Sequence, residues 1–415
     1  MYHWKLARAP HAVPMASAST AVGMLRGSFP KPKRITLTIS NDYAYKFRYL
    51  HRGLTQLALL GSIQYKLKQN DDLGRKTAII RLATEDNEHV TAVIDSGDRP
   101  YQLGNPDLDL DRVFEDQPRV LIRLTYSEDL FKPGLLERAN NPIFTRSSGR
   151  HGAPGKPIGR LYQQVVDGAY WPINERFLDE RWVKQQRQRT PPPRYDLMGL
   201  YTLRPPDLPT YQPDQALPIS ERYAFLLQAA HLEDEHALSL KVGTKLSGEI
   251  HAVDLPDPVR RFILASFLDY ETYLDALVSS RLQFCPKNFW QEDIAVGNGN
   301  RTYRLMENLA LGRVCISSPV KLHFAFEPGI HYLEVAADLS DLEEVVMRAL
   351  AHPDELAKIR NNVLELYEKH LLPIAVARHY IGILEKLLRG EIPLSAWDAD
   401  SGGAETVPVE IGDSV

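Results

Sequence analysis

Residues 35–40, ITLTIS, alternate apolar and polar positions with β-branched side chains and predict a strand. The spacing then changes. From 43 to 62 the apolar positions Tyr45, Leu50, Leu54, Leu57 and Leu60 recur at helical intervals until Gly61 stops the run. Three more short β-branched runs bounded by polar turns follow, TAIIRLA at 77–83, VTAVIDS at 90–96 and RVLIRLTY at 119–126. Such runs fit a sheet covered by helices on both faces.

The pattern breaks between 187 and 219, where proline is dense and Pro191, Pro192 and Pro193 stand in a row. Proline fixes φ and extends the chain, so this segment reads as an interdomain crossing with the boundary near 190. Within it YDLMGLYTL predicts the first strand of a second domain. Beyond it a helix is expected at 219–232, a strand at 237–243, helices around 257–280, strands at 281–286 and 331–336, a helix at 340–350 and further helix from 353. Strand alternating with helix implies parallel strands joined by crossover helices. The expected fold class is therefore α/β in two domains, 35–189 and 190–390, with the last helix free to cross back to the first. Residues 1–34, which hold six Lys or Arg and no acid, and 391–415, rich in Gly, Asp and Ser, read as flexible tails.

At 415 residues the chain has room for two cores. A net charge of −4 and a pI near 6.4 argue against a general nucleic-acid binder, which needs a concentrated basic face. No apolar run approaches the roughly 20 residues that span a bilayer, so any membrane contact is expected to be peripheral. Two cysteines, Cys285 and Cys315, are too few for a disulfide framework or a zinc site and fit a reducing cytoplasm. The histidines are scattered, and the acidic DLDLD at 108–112 lacks the glycine and terminal Glu of a calcium loop, so no metal site is expected.

The candidate chemistry lies in AVGNGNRTYRLMENLALGRVCISS, 295–318. Gly297, Asn298 and Gly299 allow a tight turn, Thr302 can cap a helix running through Leu305, Met306, Leu309 and Ala310, and Gly312 can end it. After a strand, that helix starts at the carboxyl edge of a parallel sheet. There ligands bind, and unpaired N–H groups carry a partial positive charge of about half a unit. Arg301 and Arg304 add cations suited to phosphate, and Glu307 is an acceptor suited to sugar hydroxyls. Residue types and spacing alone leave two readings open here, a simple glycine turn and an anion site.

The segment from YLDALVSSRLQFCP through RLMENLALGRVCI resembles the nucleotide-sugar segment of GT-B glycosyltransferases, especially bacterial and exostosin-like members. The strand, the glycine turn, Arg304-x-x-Glu307 and Leu309-x-x-Gly312 fall in that family's order, and DLSDLEEVVMRALAHPDEL is similar to its closing helices. The resemblance covers roughly 270–385. It implies two Rossmann-like domains facing each other across a cleft, and transfer of a sugar from a nucleotide-sugar donor to a glycan, lipid-linked or protein acceptor in glycan or cell-surface polysaccharide biosynthesis. Neither metal nor cofactor is implied. The glycine loop would lie on the diphosphate, Glu307 would meet the nucleoside end, and Lys245 in LKVGTKL, with Lys241 beside it, would offer a basic residue to phosphate.

Two departures are visible. Gly299 stands where retaining members often carry an acid eight residues before the one at Glu307, and VCISS replaces the family's I-P-V. An inverting reaction would need a base in the first domain. Asp95 is the first candidate and Asp42 the second, with Asp98 nearby, while Lys132, Arg146 and Arg150 lie in or before a Gly-rich segment that could face the acceptor. The alternative is a catalytically silent protein that binds nucleotide or glycan, or acts as a partner, in the same cleft.

Overall fold

The computed structural model describes residues 32–40, 46–74, 76–96, 105, 108–115, 117–124, 162, 164–169, 171–172, 174–189, 191–203, 220–246, 250–266, 268–286, 302–320 and 322–391. It is α/β with two parallel-rich sheets.

The first sheet is built from β1 (Lys33–Ile39), β2 (Ile63–Gln69), β3 (Thr77–Ala83), β4 (His89–Asp95), β5 (Val120–Arg123) and β6 (Gln164–Asp167), in the order β2-β1-β3-β4-β5-β6. Only β3 runs against its neighbours, pairing antiparallel with both β1 and β4. The other pairs are parallel. With β3 set aside the order is β2-β1-β4-β5-β6, a doubly wound pattern whose switch point between β1 and β4 is filled by the reversed strand. Helix α1 (Arg48–Leu59) lies in the crossover from β1 to β2, and the short α2 (Leu110–Phe114) packs Leu110 and Phe114 against Val93 and Leu121.

After α3 (Glu180–Gln188) the chain enters the second sheet at β7 (Tyr195–Leu203). There follow α4 (Glu221–His236), β8 (Leu240–Leu246), α5 (Asp257–Arg260), α6 (Tyr270–Val278), β9 (Ser280–Phe284), α7 (Tyr303–Ala310), β10 (Val314–Ser317) and β11 (Leu333–Glu334). Every pairing is parallel, in the order β11-β10-β9-β7-β8. A lone parallel bridge from Thr244 to Ile263 adds a rudimentary strand outside β8. Counted with it, the sheet has the Rossmann order 3-2-1-4-5-6, and its direction of winding reverses between β7 and β9. Buried runs such as VCIS in β10 follow from this, because a parallel sheet is covered on both faces.

The chain closes with α8 (Leu342–Ala351), α9 (Pro353–His370) and α10 (Pro373–Leu388). Helix α10 returns to the first sheet. Pro373 sits against Gly53 of α1, the Tyr380 hydroxyl donates to the Ala169 carbonyl at 3.2 Å, and Lys33 pairs with Glu385. The buried Tyr49 hydroxyl donates to Leu371 O at 2.6 Å, at the turn between α9 and α10. One apolar cluster consequently runs from the first sheet through α10 into the second. No helix among the described residues is long and apolar enough to cross a membrane.

Candidate functional site

A cavity of about 310 Å³ opens where the second sheet reverses direction. Its floor is the carboxyl half of β7, with Gly199 and Tyr201, and the end of β9 at Gln283 and Phe284. Its rim is the start of α7. The packing that sets this floor is aromatic: Phe225 of α4 stacks on Phe284 with ring centroids 4.0 Å apart.

Helix α7 is fixed at both ends by local chemistry. Thr302 is extended and its hydroxyl accepts from the Leu305 amide at 3.1 Å, which satisfies one first-turn donor and leaves the earlier amides without intrahelical acceptors. At the other end Gly312 takes φ +63° and the Arg313 amide reaches the Asn308 carbonyl at 2.9 Å, the pattern of a Schellman cap. A Cβ on Gly312 would also come within 2.6 Å of the Leu364 side chain. Thr302→Ala is expected to cost about 1 kcal/mol of stability, read from a urea midpoint, because the cap is lost while the fold is kept.

Arg304, in the first turn, lines the cavity, and two side chains hold it in place. Its guanidinium carbon lies 3.9 Å over the ring of Tyr273, and Nη1 donates to Glu307 Oε2 at 3.0 Å. The same oxygen accepts from the Tyr273 hydroxyl at 3.1 Å. Burial pushes the Tyr273 phenol well above its ordinary pKa, so it remains a donor. Glu307 is only 4% exposed and sits behind the cavity wall rather than on it. It therefore positions Arg304, whose charge faces the cavity.

Among the described residues the Tyr270 hydroxyl and Asn308 Oδ1, both buried in the lining, find no hydrogen-bond partner. The Asn308 amide nitrogen is engaged with the Arg304 carbonyl at 2.9 Å and with Cys285 Sγ at 3.3 Å, which fixes Oδ1 as the open acceptor. Such unspent groups in a cavity are hydrogen-bonding positions for a ligand. Arg222, 6% exposed, closes the far wall and donates to the Thr202 carbonyl at 2.7 Å. The first sheet's side also reaches this region. Lys46 Nζ lies 5.7 Å from the centre of the Tyr303 ring, and Arg176 lies over Tyr270 and pairs with Glu271.

The other sequence candidates fall as follows. Lys245 sits at the carboxyl end of β8 opposite Thr202, whereas Lys241 lies near the Tyr195 ring toward the amino end. Asp95, at the end of β4, is 1% exposed and 3.9 Å from Arg123, itself fully buried. That placement is a buried ion pair, with Thr77 of β3 beside Asp95 in the strand register. Asp42, Asp98, Lys132, Arg146, Arg150, Gly297, Asn298, Gly299 and Arg301 lie outside the described residues. Among the described residues no group of three or more His, Cys, Asp or Glu converges on a metal position. Tyr270, Tyr273, Arg222 and Asn308 were not foreseen from the sequence. The only signal was the i, i+3 pair of tyrosines in YETY, which core packing explains equally well.

Residues 224–381 match the family described as glycosyl transferase-like. No curated protein sequence matches the chain. Among solved structures, sucrose-phosphate synthase from Thermosynechococcus elongatus is 13% identical, with 66% of this chain and 69% of that one covered at a TM-score of 0.34. HepE of Anabaena, solved with UDP and glucose, is 11% identical over 65% of this chain and 72% of that one, at a TM-score of 0.34. A glycosyltransferase from Rickettsia africae is 9% identical over 85% and 97%, at 0.36.

Proposed function

We propose, from a chain whose residues 224–381 form a glycosyl transferase-like segment, that the cavity at the β7/β9 reversal holds a nucleotide-sugar donor and that the protein transfers its sugar to an acceptor. The observation that carries the reading is the start of α7. There a capped helix amino terminus and Arg304, locked by Glu307 and Tyr273, face a cavity with open hydrogen-bonding groups. Donors fixed in advance at a departing diphosphate stabilise the charge that develops as the glycosidic bond breaks, without reorganisation during the step. Arg304 and the first-turn amides take that role, with Lys245 at the neighbouring strand end as a further cation. Glu307 fixes Arg304 through Oε2 and so acts on the donor through that guanidinium. Transfer of a hexose in glycan biosynthesis, with a glycan, lipid-linked or protein acceptor and without metal or cofactor, is the reaction this site suits. Two buried free thiols fit a reducing cytoplasm.

A second reading is favoured by one specific observation. Asp95 is spent in a buried pair with Arg123, so the base that inverting transfer requires is not supplied by that residue, and a binding protein without turnover would need none. Calorimetry against UDP, GDP and their sugars, followed by a hydrolysis assay, separates the two. Binding with release of sugar supports transfer; binding without release supports the silent protein. No heat at millimolar nucleotide would remove the transfer reading.

A further inference from the structure

The amino-terminal edge of the second sheet, opposite the site above, carries another cavity, of about 630 Å³. Its walls are the crossing Pro191–Pro193, the strand starts at Ser280 and Arg313, and the first turns of α9 at Leu356 and Arg360.

The cations there were drawn in by helix ends. Arg313, 7% exposed, donates to the Val278 carbonyl at the end of α6 at 3.1 Å and to the Arg189 carbonyl at the end of α3 at 3.4 Å. Arg360 donates to the Arg187 carbonyl, also in the last turn of α3, at 3.0 Å. Helix carboxyl ends carry about half a negative unit and favour cations, which explains the placement but leaves the two full charges incompletely balanced. The nearby acids are engaged elsewhere. Asp275 pairs with Arg189 and Arg194, Glu368 with Arg187, and Asp196 lies 3.7 Å from Arg281. Among the described residues the buried Arg313 Nε has no hydrogen-bond partner. Burial, and the adjacent Arg360 and Arg189, lower the Arg313 guanidinium to about 10.

We propose that this cavity is a second ligand site, one that takes the phosphate monoester of a small metabolite. The phosphate meets Arg313 Nε and the Arg360 guanidinium, and the apolar body lies against Pro191–Pro193 and Leu356. Two guanidinium groups arriving from different elements, a strand start and a helix, suit a tetrahedral dianion better than a planar carboxylate, which one Arg fork satisfies. A ligand there ties the crossing between the two sheets to α9, at the edge remote from Arg304, and so acts as an effector rather than a substrate.

The probe is phenyl phosphate, titrated by calorimetry into the full chain, with inorganic phosphate as the comparison lacking an apolar body. Phenyl phosphate should bind saturably and more tightly than inorganic phosphate. Arg360→Gln, a change at a partly exposed helix position, should weaken it about tenfold or more. Arg304→Ala, at the opposite edge, should leave it unchanged, so the outcome does not depend on whether the donor site is correctly assigned. Absence of saturable binding at millimolar probe overturns the proposal. So does equal affinity in Arg360→Gln, or a loss in Arg304→Ala with none in Arg360→Gln, either of which would leave Arg313 and Arg360 as helix caps only.

Discussion

Gly53→Ala is expected to destabilise the protein by about 2–4 kcal/mol, although alanine in a helix interior ordinarily gains up to about 1 kcal/mol over glycine. The reversal comes from geometry. A Cβ at Gly53 would lie 1.9 Å from the Pro373 carbonyl oxygen, 2.5 Å from its carbon and 2.9 Å from the Ala377 Cβ. Two of these atoms are backbone, so no side-chain rotation relieves the clash, and α10 must move off α1. That motion would also loosen Tyr380 from the Ala169 carbonyl and from Trp171, whose ring lies 6.0 Å away. Gly382 of α10 is the internal control. Nothing lies within 4 Å of a Cβ built there, so Gly382→Ala should stabilise by roughly 0.5–1 kcal/mol. Urea midpoints of the two variants should therefore move in opposite directions, and movement in the same direction would contradict the close α1/α10 crossing.

Glu307→Ala is expected to weaken nucleotide diphosphate binding by about 1–3 kcal/mol, since it removes a charge-assisted partner and leaves polar groups unpaired. The effect passes mainly through Arg304, which would keep only the Tyr273 ring beneath it. Glu307→Gln keeps a hydrogen-bond acceptor for Tyr273 and Arg304 and should retain part of the affinity. Calorimetry checks both. Equal affinities for wild type and a folded Glu307→Ala would show that the Tyr273–Glu307–Arg304 arrangement serves only the core.

What was legible in the sequence depended on burial. β1, β3, β4 and β7 carry apolar or β-branched runs and stood out, as did α1 and α4. β2, IQYKLKQ, did not, because it is an edge strand with most of its residues exposed, and so has little apolar patterning to display. Nor did the pattern show that β3 runs backward, since side-chain alternation is the same in either direction. At the site, the cap at Thr302 and the stop at Gly312 were readable from residue type, because those roles are local. The partners of Arg304 were not. Tyr273 lies on a different helix, α6, 34 positions before Glu307, and only the fold brings them together. Asp95 shows the converse: a carboxylate after a strand looks the same in sequence whether it meets an acceptor or a buried arginine such as Arg123.

The central claim is that a nucleoside diphosphate lies at the β7/β9 reversal with its phosphates at the start of α7. The most direct measurement is a crystal structure of the protein soaked with UDP or GDP. The account predicts diphosphate density within hydrogen-bonding distance of Arg304 and the first amides of α7, with the nucleoside in the cavity beside Tyr270 and Asn308. Nucleotide bound away from α7, or an empty cavity at millimolar soak, would contradict it.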